Sequence, residues 1–66
     1  MIDTTTQRRF DEMVTLCRLY EMTPEQRETA NEHIRNCRND LLRWPGLAAD
    51  IIEDTRRAIE GMRVEA

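Results

Sequence analysis

The chain has 66 residues, ten basic and thirteen acidic, for a net charge of −3. A chain this short buries only about 60% of the surface its unfolded form exposes, so it gains from a disulfide, a metal or a second chain. No third of it is net basic: residues 1–22 carry three arginines and four acids, 23–44 four and four, and 45–66 three and five. That distribution argues against a nucleic-acid footprint or an anionic-membrane surface.

The 39% apolar and 35% charged content suits helices with one apolar stripe and a solvated back. All ten basic residues are arginine, a set of planar bidentate donors suited to carboxylates at an interface. No apolar run approaches the roughly 20 residues of a transmembrane helix. The start, Met-Ile-Asp-Thr-Thr-Thr, lacks the charged and apolar stretches of a signal peptide, so a cytoplasmic location is expected.

Thr4, Thr5 and Thr6 offer N-caps for a first helix over about 5–22. Phe10, Met13, Val14, Cys17 and Tyr20 follow at helical spacing. Thr23-Pro24-Glu25-Gln26 then opens a second helix over about 24–43. Thr23 is the cap, Pro24 needs no N–H at the first helical position, and Gln26 can reach back to the cap. Ala30, Ile34, Cys37, Leu41 and Trp44 form a narrow seam along it. Pro45 takes Trp44 out of the helix and can begin a third, over about 46–62. The apolar face of that helix is Ala48, Ile51, Ile52, Thr55, Ala58, Ile59 and Met62. Gly61 is either its C-terminal cap or a weak point in the last turn, and Val64 to Ala66 are expected to fray.

The fold class read from this is all-α: three amphipathic helices of similar length, an antiparallel bundle completed by dimerisation. The ground for a dimer is the first helix. With Leu16 and Leu19 its apolar residues span an arc of roughly 220° at about 100° per residue. Two other helices cannot cover both edges. Leu16, Leu19 and Tyr20, extended by Met22 and Leu42, are therefore the expected partner or dimer interface. Asp50, Glu53, Asp54 and Glu60 make the third helix acidic, a possible contact face for a basic partner surface.

Little points to catalysis. Cys17, His33 and Cys37 are the soft metal-ligand candidates, but their spacing fits no ordinary finger motif. In a hairpin model the two cysteines are offset by ~10 Å along the axis, too far for a disulfide. They read as buried thiols. Asp11-Glu12 and Glu53-Asp54 diverge on a helix, and no nucleophile motif or phosphate loop is present. No catalytic residue, metal or cofactor is expected.

The reading is a small non-enzymatic protein–protein interaction module. It is a regulator or inhibitor, of a size class that includes phage-encoded inhibitors, and it blocks a surface of a larger protein or nucleoprotein target. It is expected to homodimerise and to touch neither nucleic acid nor membrane. The alternative is a helix-turn-helix-type DNA-binding regulator, opposed by the acids Asp50, Glu53 and Asp54 at the start of its reading helix.

Overall fold

Thr23 sets the clearest boundary in the chain. In a computed structural model that describes residues 2–64, it stands in extended conformation, and its hydroxyl accepts from the Gln26 N–H at 3.1 Å. The Gln26 carboxamide accepts from the Thr23 N–H at 3.0 Å, which closes the capping box. Helix α2, Pro24–Arg43, starts there as expected.

Helix α1 is Thr4–Arg18: it starts one residue before the expected position 5 and stops short of the expected 22. Its N-cap is Asp3, not a threonine: the carboxylate accepts from the Thr6 N–H at 2.7 Å. A carboxylate at this end also faces the positive pole of the helix dipole, which a hydroxyl cannot exploit. At the other end, the N–H groups of Leu19 and Tyr20 bond three residues back, to Leu16 and Cys17. This tightened turn ends the helix four residues before position 22. Thr23 must be extended, both as a cap and as the residue before Pro24, and Tyr20–Met22 serve the reversal.

Trp44 leaves α2 with φ −129° and ψ 64°, and Pro45–Leu47 form one 3-10 turn. Helix α3, Ala48–Val64, follows. It runs through Gly61, whose φ is not positive, so this glycine is not a cap. The expected fraying of Val64–Ala66 meets a helix that includes the Val64 backbone; Glu65 and Ala66 lie outside the described residues. Among the described residues there is no strand, and no helix is long and apolar enough to cross a membrane.

α3 is the central element. It packs along α2 and along α1, while α1 and α2 touch at few places. The Gln26 carboxamide at the start of α2 donates to the Met62 carbonyl near the end of α3, at 3.3 Å. Residues 9–16 of α1 and 49–56 of α3 line one groove. The molecule measures 35 × 17 × 15 Å.

The core is small: Phe10, Met13 and Cys17 from α1, Ala30, Cys37 and Leu41 from α2, and Ile59 from α3. Their spacing within each helix returns them to one face at 3.6 residues per turn. Both cysteines are buried and free. Burial pushes both thiols up from their ordinary pKa.

Candidate functional site

Most of the leucines of this protein, and its tryptophan, are outside. Of five leucines, only Leu41 is buried. Leu16, Leu19, Leu42 and Leu47 are exposed, and so is Trp44, the single tryptophan. They fall into two groups at opposite ends of the molecule.

The first group is Leu16 and Leu19. Leu16 stands on the last full turn of α1 and Leu19 is its C-cap, 77% exposed. Leu16 also borders the groove between α1 and α3, with Met13 and Ile52 as its apolar neighbours and Arg9, Glu12, Glu53 and Arg56 as its polar ones. Leu16 and Glu53, separate features in the sequence, thus line one groove.

Tyr20 and Met22 do not share this exposure. Once α1 stops at Arg18, Tyr20 is no longer on its wheel, and both side chains turn back and pack against the core. The Arg63 guanidinium covers the Tyr20 ring, 4.2 Å from its centroid. Arg27 Nη2 donates to the Tyr20 carbonyl at 3.1 Å. Leu42 is not an extension of this patch either. It sits in the last turn of α2, and twenty helical residues at about 1.5 Å each put that turn roughly 30 Å from Met22.

The second group was not foreseen. Leu42, Trp44 and Leu47, 52%, 55% and 53% exposed, crowd the corner between α2 and α3. The Trp44 N–H bonds the Asp40 carbonyl at 2.7 Å, and the Leu47 N–H bonds the Trp44 carbonyl at 3.0 Å. The spacing places Trp44 in the seam of α2, and Pro45 places it outside the helix; the second holds. Pro45 forbids the helical conformation that would have kept it there, so the indole swings out. The Trp-Pro pair predicts this exit from the helix, and the structure agrees; what the pair does not show is that the indole then lies exposed beside Leu42 and Leu47 in sequence.

The acids of α3 divide. Glu53 and Glu60 both bind Arg56, Glu53 at 2.7 Å through Nη2, and Glu53 also receives Arg57 Nε at 3.1 Å. The hydrogen bond from Arg56 is the main cause holding the Glu53 carboxyl below its ordinary pKa. Asp50 and Asp54 are exposed and make no ion pair among the described residues. Asp54 is turned about 100° from Glu53, so the four acids do not form one face.

On α2 the charge is segregated along the axis. Glu25, Glu28 and Glu32 lie in its first half with Arg27 the one arginine there, and Arg35, Arg38 and Arg43 in its second, with Asp40 the one acid there. The three arginines of the second half are exposed and make no ion pair among the described residues. His33 is half-buried. Among the described residues, no three His, Cys, Asp or Glu side chains converge as a metal-binding set.

No protein-family model, no curated protein and no solved structure matches the chain.

Proposed function

We propose that this chain is a small non-enzymatic interaction module, an antiparallel three-helix bundle completed by a second copy, that acts in the cytoplasm as a regulator or inhibitor. It works by occupying a surface of a larger protein or nucleoprotein. The observation that carries this reading is the inversion among the leucines: four of five, and the only tryptophan, face solvent beside a core of seven buried side chains among the described residues. Scattered apolar residues are ordinary on a surface, but clusters mark contact sites.

Leu16 and Leu19 are the proposed self-association contact, because a twofold partner can lay the same end of α1 against them. Tyr20 and Met22 support that end from below, through their contact with the core. Asp50 and Asp54 are the acids of α3 that remain for a basic partner, since Glu53 and Glu60 are engaged by Arg56.

The experiment is a series of thermal melts over a wide range of protein concentration. A chain stabilised by its own dimer melts at higher temperature as concentration rises. A midpoint that stays fixed across the series would remove the second copy from this reading and leave a foreign partner.

A further inference from the structure

We infer that the α2–α3 corner is a docking site for an acidic amphipathic segment of a partner protein. The inference deepens the interaction-module reading and rests on it, but on a surface separate from Leu16 and Leu19.

Two features coincide at this corner. The first is apolar: Leu42, Trp44 and Leu47 are each more than half exposed within six residues of chain. Tryptophan and arginine are the residues most enriched at the energetic centres of protein interfaces. The second is electrostatic. At about 100° per residue, Arg35 lies about 20° and Arg38 about 40° from Leu42 on α2. They form one strip leading to the apolar corner, and Arg43 adds a third guanidinium beside it. Asp40, the acid of this half-helix, is about 160° away from Leu42 on the same wheel. An occupant must therefore offer apolar anchors and carboxylates together, which is the pattern of an amphipathic acidic helix laid on a surface.

On the reading above, a second copy has no such segment to spare. The acids without ion pairs on α3, Asp50 and Asp54, share their side of the helix with Arg57, Ala58 and Gly61, none of which is a large apolar anchor. Leu16 and Leu19 share their side of α1 with Glu12, but the proposed self-association commits that end of α1 to its counterpart in the other copy. Duplex DNA would find the guanidiniums but has no use for two exposed leucines; Asp50 and Asp54 oppose any anionic occupant alike, so the apolar anchors are what favour a peptide.

Trp44, as the only indole, reports on this corner alone. The test titrates the full chain with a synthetic helical peptide bearing leucines at i, i+3, i+4 and i+7 and glutamates elsewhere. The controls are the same peptide with lysine for every glutamate, and single-stranded and duplex DNA. The expected result is a saturable blue shift of Trp44 emission with the acidic peptide and roughly tenfold weaker binding of the lysine peptide. The double variant Arg35→Glu/Arg38→Glu, which changes only exposed positions, should keep the wild-type melt and reverse that preference.

The inference is overturned if the acidic peptide produces no shift, or if both peptides bind alike. It is also overturned if DNA shifts the emission at lower concentration, or if concentrating the protein alone does so, which would make the occupant a second copy. Leu19→Glu should leave the titration unchanged. Loss of self-association and loss of corner binding are thus read separately.

Discussion

The guanidinium of Arg63, one residue from the end of α3, lies 4.2 Å from the centroid of the Tyr20 ring, just beyond the end of α1. It joins the end of one helix to the turn leaving another. Arg27 to the Tyr20 carbonyl and Gln26 to the Met62 carbonyl close the same end of the molecule. Arg63→Ala should therefore lower stability by about 0.5–1 kcal/mol, the size of an exposed cation–π contact. Tyr20→Phe keeps the ring and should leave stability unchanged. Urea denaturation of the two variants checks this; equal midpoints would mean that the stacking contributes nothing.

Leu41 and Leu42 are neighbours in sequence and opposites in environment, at 1% and 52% exposure. Leu41→Ala should cost about 2–5 kcal/mol, because it opens a cavity in a core with few other members. For a domain of this size that leaves little or no folded protein. Leu42→Ala should stay within about 0.5 kcal/mol of wild type in a dilute, partner-free sample. Circular dichroism melts of the pair measure the contrast. A Leu42→Ala protein as damaged as Leu41→Ala would show that the corner is packed, not exposed.

Gly61 lies inside α3, and a Cβ built there meets nothing within 4 Å. Gly61→Ala should stabilise the protein by up to about 1 kcal/mol, through helix propensity and a less flexible unfolded chain. A loss of stability in chemical denaturation would show that the missing side chain leaves room for something the single chain lacks, such as a partner's backbone.

How far the sequence could be read depended on how local the determinants were. The α2 capping box and the break at Trp44-Pro45 need only four adjacent residues, and the bounds of α2 follow from them. The core positions Phe10, Met13, Cys17, Ala30, Cys37, Leu41 and Ile59 were all visible as helical spacing. The end of α1 was not, because Tyr20 continues that spacing in sequence after the backbone has left the helix. Tyr20 lies inside the arc drawn on the wheel of α1, whose edges are Leu19 and Val14, so its departure removes a member of that arc without narrowing it. Nor could composition show that Glu53 and Glu60 are consumed by Arg56 while Arg35, Arg38 and Arg43 face solvent. Segment charges count acids and bases without pairing them.

Acid should weaken the fold through two carboxylates. Asp3 is held below its ordinary value of 3.8 chiefly by the Thr6 N–H, and Glu53 below 4.5 chiefly by Arg56. A carboxyl whose pKa is depressed on folding contributes stability above its unfolded value and loses it as pH falls through the folded value. Melting temperature should thus hold from neutral pH to about 4.5 and decline below it. Glu53→Gln and Asp3→Asn should each start lower at neutral pH and decline less. A variant with the full wild-type decline would place the acid sensitivity elsewhere.

The central claim is that the exposed end of α1 is a contact between copies. Light scattering after size exclusion, on wild type and Leu19→Glu, tests it most directly. Leu19 is 77% exposed and adds nothing to the core, so the substitution should leave the monomer folded. At a contact it would bury a carboxylate on each side of the twofold axis. The predicted result is a wild-type mass of twice 7.9 kDa and a folded Leu19→Glu protein of 7.9 kDa. A wild type that elutes as a monomer at tens of micromolar, or a Leu19→Glu protein that remains dimeric, would contradict it.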